Sequence, residues 1–209
     1  MLPRMLIAGL LSCLTLCINA QTASPSAPVR VRGTIEQVSP TQLVVKDRSG
    51  EVVTLVRPAD MPVSEVLPIA LQDIQVGSFI GSAAMPQADG SQVALEVLVF
   101  PEAARGTGEG HYAWDLQPQS TMTNATVASL AVAPSQMPGG QQLLLKYKDG
   151  EKRLLVPAGT PIVTIRPAKQ EENVLLIPGA KVMVVAQVKD GQPTAVRVTV
   201  GRNGFAPPM

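Results

Sequence analysis

Apolar and polar residues alternate along most of this chain. In VRVRGTIEQV, residues 29–38, Val29, Val31 and Ile35 fall on one face, and Arg30, Arg32, Thr34 and Glu36 fall on the other. A period of two predicts a half-buried strand. TQLVVKDRSGEVVTLV (41–56) reads as a hairpin turning at Arg48-Ser49-Gly50, and QQLLLKYKDGEKRLLV (141–156) as one turning at Asp149-Gly150. A second kind of hairpin follows each. SFIGSAAM turns at Asp89-Gly90 into VALEVLVF, and AKVMVVAQV turns at Asp190-Gly191 into TAVRVTV. The Pro-rich connections between the hairpins predict a short helix around residues 64–74 and an irregular loop over 167–177.

The pattern reads as a duplication. Leu43 aligns with Leu143, Lys46 with Lys146, Gly50 with Gly150, Glu51 with Glu151, Val56 with Val156, Gly77 with Gly179 and Gly90 with Gly191. Two copies are too few for a solenoid. The expectation is an all-β chain of two tandem five-stranded, OB-like small barrels, residues 29–100 and 123–200. An ordered linker, 101–122, joins them, and a loose tail covers 201–209. Closure would remove the exposed edges of such Val-rich strands. Gly33, inside the first strand, marks a bend or bulge.

Composition narrows the classes. Aromatic residues are 3% of the 209, and Lys+Arg (17) nearly balances Asp+Glu (16). Base-stacking platforms and a basic stripe are both lacking in the sequence, so no nucleic-acid partner is expected. Residues 1–20 have the layout of a secretory signal peptide. Arg4 is followed by the apolar run 5–18, with cleavage expected after Ala20. The run is too short for a membrane span, and no span is expected in the mature chain. Residues 21–28 read as a flexible tether. Cys13 and Cys17 both lie in the signal region, so the cleaved chain carries no thiol. Lipidation at Cys13 is the less favoured alternative to a free periplasmic or secreted protein.

VRGTIEQVSPTQLVVKDRSGEVVTL resembles the opening of a family of small exported bacterial domains of unknown function. Their pattern is V-x-G-T-[IV], then a Leu-Val-Val strand and a Gly turn. The words GTGEGH (Gly106 to His111), WDL (Trp114 to Leu116) and STMTNATV (Ser120 to Val127) are similar to a linker found between tandem copies in such proteins. The resemblance implies a β-barrel fold and export, and brings no activity with it.

Reactive side chains concentrate in this linker: Glu102, Arg105, Glu109, His111, Tyr112, Trp114 and Asp115. Three readings compete. Glu109, His111 and Asp115 offer a weak divalent-metal set, thin because no second His or Cys supports it. His111 as base, Asp115 as its orienting group and Ser120 or Thr121 as nucleophile form a triad on paper, with no nucleophile elbow behind it. In the third reading the linker is a structural joint. Its glycines permit tight turns, Trp114 plugs a seam, and Arg105, Glu109, His111, Tyr112 and Asp115 bind structure or ligand. The residues favour the joint. Asn124-Ala125-Thr126 fits a glycosylation acceptor but is expected to enter a strand. No enzyme activity and no cofactor are expected. The function expected is an exported binding or assembly module for an envelope protein or small ligand, with weak metal binding in 105–121 as the alternative.

Overall fold

A computed structural model describes residues 27–135, 137–168 and 172–208. The signal region, both cysteines and most of the tether lie outside the described residues. The described residues form thirteen β-strands: β1 (Val29–Val38), β2 (Gln42–Asp47), β3 (Val52–Val56), β4 (Val63–Pro68), β5 (Phe79–Pro86), β6 (Gln92–Val99), β7 (Gly110–Ala113), β8 (Thr121–Val132), β9 (Gln141–Tyr147), β10 (Gly150–Val156), β11 (Ile162–Pro167), β12 (Lys181–Lys189) and β13 (Gln192–Gly201). One short helix, α1 (Glu172–Leu175), joins three single-turn 3₁₀ segments.

The all-β expectation holds. The strands follow the order β10-β9-β8-β5-β6-β11-β4-β13-β12-β1-β2-β3, with β7 paired to β8. Strands β5, β6, β8, β9 and β10 close into a five-stranded barrel, because Leu154 and Leu155 of β10 pair in parallel with Gln92 and Val93 of β6. Its interior holds Ile80, Val97, Val127, Leu143, Leu145 and Leu154. Each such aliphatic side chain contributes about 1.5–3 kcal/mol by leaving water.

The pairing of the remaining strands differs from one barrel per half. β1 pairs antiparallel with β12, Val31 opposite Val184, and β12 pairs with β13. The first three strands and the last two thus form one sheet around Ile35, Leu43, Leu55, Val184 and Val198. β3 meets β13 at a single parallel bridge, Thr194 to Val56. The closed barrel is continuous in sequence from β5 to β10, and the two ends of the chain pair with each other beside it. The physical reason is that Val-rich alternating hairpins are interchangeable. Burying one apolar face is satisfied by either partner hairpin.

The predicted loop over 167–177 holds α1, the predicted helix over 64–74 is replaced in its first half by β4, and β11 precedes that loop. These two strands pair with each other, Ile165 opposite Val66, and β4 runs parallel to β13 while β11 runs parallel to β6. Proline at the ends of these short strands obscured them in the sequence. A third apolar cluster, Val66, Leu98 and Val163 with Phe100, Ile165 and Phe205, sits at this junction. Phe205 thereby docks part of the tail, and Pro207 beyond it is buried. Gly33 is required by a close approach: a Cβ there would overlap the Lys46 carbonyl oxygen.

Candidate functional site

Residues 101–122 connect β6 to β8, two strands of the same closed barrel. They reach out of that barrel and touch the sheet made by the chain ends. β7 anchors the segment by pairing with the edge of β8 that β9 leaves open. His111 lies opposite Thr123 and Tyr112 opposite Met122. Positive φ at Gly106, Gly108 and Gly110 shapes the approach to β7, where side chains other than Gly would be strained.

Each residue singled out from the sequence finds an internal partner. Arg105 holds Glu102 at 2.6 and 2.7 Å and donates to the Gly77 carbonyl at 3.0 Å. A Glu109 carboxylate oxygen accepts the Lys148 backbone N–H at 3.1 Å. His111 Nδ1 is 2.8 Å from Thr123 Oγ1, and its ring stacks 6.4 Å from Tyr147. Burial, then the charge of Lys152, lowers the His111 pKa, so the neutral imidazole is favoured. The Tyr112 hydroxyl accepts from Asn124 Nδ2 at 3.3 Å, and burial raises its pKa. The same Asn124 amide donates to the Thr107 carbonyl at 3.0 Å, which keeps the acceptor-pattern Asn inside the fold.

Trp114 and Asp115 carry this segment's contact with the sheet of the chain ends. The Arg30 guanidinium lies 3.8 Å from the Trp114 ring centroid, a cation–π stack. Asp115 takes Arg32 at 2.7 Å and Arg30 at 3.3 Å. Burial works to raise the Asp115 pKa, but the Arg32 hydrogen bond and the charges of Arg32 and Arg30 outweigh it and hold the carboxylate below its ordinary range. These contacts join residues 83 and 85 apart in sequence.

The paper triad is not assembled. Ser120 Oγ lies 2.7 Å from the Gln117 carbonyl and 3.1 Å from that of Trp114, closing its own loop, and Thr121 Oγ1 donates to Gln92 at 2.9 Å. His111 faces Thr123 and Asp115 faces arginines. The proposed metal set is likewise dispersed: Glu109, His111 and Asp115 have separate partners. Among the described residues no group of three or more His, Cys, Asp or Glu side chains gathers to hold a metal.

Two buried glutamates were not singled out from the sequence. Glu65 on β4, 1% exposed, pairs with Arg166 at 2.6 Å and with Arg202. The Arg202 hydrogen bond is the main reason its pKa is lowered, with Arg166 adding to it against the cost of burial. Glu96 on β6, also 1% exposed, has neither carboxylate oxygen hydrogen-bonded within the described structure. Burial pushes its pKa up to about 8 against the pull of Arg32 and Arg48. The one legible signal was a charge in the middle of the apolar run VALEVLVF.

No helix among the described residues is long and apolar enough to cross a membrane. Comparison of the chain with family models, with curated proteins and with solved structures finds no match.

Proposed function

We propose that this chain is an exported, non-enzymatic binding or assembly module, built from a duplicated β unit whose hairpins are exchanged into two barrels. In this reading the sheet of the chain ends is the second barrel, sealed at the Thr194–Val56 bridge. The Arg105–Ser120 segment serves it as a clamp. The observation that carries the reading is the Arg30–Trp114 and Arg32–Asp115 contact, in which the rarest side chains of the molecule are committed to holding its two bodies together. A triad would bring His111, Asp115 and Ser120 to one space; here the imidazole turns to Thr123, the carboxylate to Arg32 and the Ser120 hydroxyl to the Gln117 carbonyl. The resemblance of the opening and linker words to exported bacterial domains, and the layout of residues 1–20, support the periplasmic or secreted location.

Titration of Zn²⁺, Cu²⁺ and Ni²⁺ into the protein, followed by Trp114 fluorescence, tests the reading. No saturable response at low-micromolar metal is expected. A saturable response lost in His111→Ala would replace the clamp with a metal site.

A further inference from the structure

The outer face of β1 collects cations from separate parts of the chain. Ile35 is buried in the core and Val31 packs against it, so Arg30, Arg32 and Thr34 face outward. Strand register then fixes their neighbours. Arg30 lies opposite Val185, which lies opposite Arg197 on β13. Arg48 donates its backbone N–H to the Arg32 carbonyl. Thr34 lies between Lys46 of β2 and Lys181 of β12. Six basic residues therefore share one face of a chain whose net charge is only +1.

The two ends of this face are not equivalent. At one end Asp115 is shared by Arg30 and Arg32 and offsets one of their two charges. At the other, Lys46, Arg48 and Lys181 line a cleft of about 300 Å³, floored by Gly33, Thr34 and Val182 and walled by Ala206 and Pro207. The one carboxylate lining it, Asp47, is engaged locally: its Oδ1 accepts from Ser49 N, Ser49 Oγ and Glu51 N at 2.8, 2.7 and 2.9 Å. Lys181 Nζ donates to Thr34 Oγ1 at 2.7 Å, which fixes the ammonium at the cleft. None of the three cations forms an ion pair among the described residues. Glu96 is within electrostatic reach of Arg48, but burial holds that carboxyl protonated at neutral pH, so it leaves Arg48 uncompensated.

We propose that the cleft between Lys46, Arg48 and Lys181 binds a phosphate group, free or as the headgroup or monoester of a larger molecule. Three cations against the one locally engaged carboxylate of Asp47 leave an excess of positive charge that matches a multiply charged oxyanion, and the guanidinium of Arg48 adds planar two-point donation. The volume suits a small phosphate-bearing ligand. The proposal rests on the binding-module reading and names its ligand class, yet it fails separately, since the clamp is tested by stability and the cleft by titration.

Isothermal titration of the full chain with inorganic phosphate at low ionic strength tests it, beside co-sedimentation with phosphatidylcholine vesicles containing or lacking phosphatidylglycerol. Saturable, salt-sensitive binding in either arm is expected. The Lys46→Gln/Lys181→Gln double variant should weaken it on the order of tenfold, and Lys152→Gln, on the closed barrel, should leave it unchanged. Binding in the vesicle arm alone assigns the phosphate to a lipid. No binding in either arm, or binding that the double variant leaves intact, overturns the proposal. Lys46 is exposed and Lys181 half-buried, and a melting curve matching the wild type confirms that the variant folds.

Discussion

Glu96 and Glu65 show how far two equally buried carboxyls diverge when only one has partners. Glu65 meets two guanidiniums and stays ionised, whereas Glu96 lacks a hydrogen bond and holds its proton to about pH 8. An ordinary Glu titrates near 4.5, so between that value and about 8 the folded chain binds the proton more tightly than the unfolded one. Stability from this group is therefore full below about 4.5, falls as the pH rises from there towards about 8, and is lost above it. Glu96→Gln removes the penalty. The variant should melt above the wild type at pH 9, by on the order of 3 kcal/mol, with the gap closing by pH 5. Thermal melts across that range check it, and a gap independent of pH would place the Glu96 proton elsewhere. Neither role was legible in advance. A lone Glu in an apolar strand signals something unusual, but Arg32, Arg48, Arg166 and Arg202 reach these glutamates from distant segments.

At the scale of elements, the hairpins were readable because period-two alternation and Asp-Gly or Ser-Gly turns are local physics. β4 and β11 were not. MPVSEVLP and PIVTIRP are bracketed by proline, and their partners are each other and the hairpin ends. The pairing of the chain's first hairpin with its last was equally hidden, since alternation specifies which face is buried and not which hairpin covers it. Glu65 marks the importance of this junction. Glu65→Gln should destabilise the protein by about 1–3 kcal/mol by removing the carboxylate charge that two arginines share, a cost moderated because Arg166 is 53% and Arg202 35% exposed. Urea unfolding checks the value; a neutral result would mean that β4–β11 pairing stands without the ion pairs. The rare residues of the 105–120 segment were visible as a concentration. Their partners Arg30, Arg32, Thr123 and Tyr147 were not, because β7 had been read as part of a linker rather than a strand on the edge of β8.

Across the whole molecule, a closed barrel adjoins a sheet formed from both ends of the chain, with β4 and β11 as the seam and one loop of the barrel reaching across to grip β1. The sequence's balanced charge concealed an uneven distribution. Cations 30, 32, 46, 48, 181 and 197 meet only once β1, β2, β12 and β13 have paired. The clamp and the cationic cleft occupy two ends of that face. The most direct test of this account is guanidinium unfolding of the wild type beside Trp114→Ala, Asp115→Asn and His111→Ala. The account predicts a loss of about 2–3 kcal/mol for Trp114→Ala, from lost burial and the Arg30 stack. For Asp115→Asn it predicts about 0.5–1 kcal/mol, screened by salt because the carboxylate is 45% exposed. For His111→Ala it predicts a loss independent of added metal. Unchanged stability in both Trp114→Ala and Asp115→Asn would contradict it, because the segment would then hold nothing together.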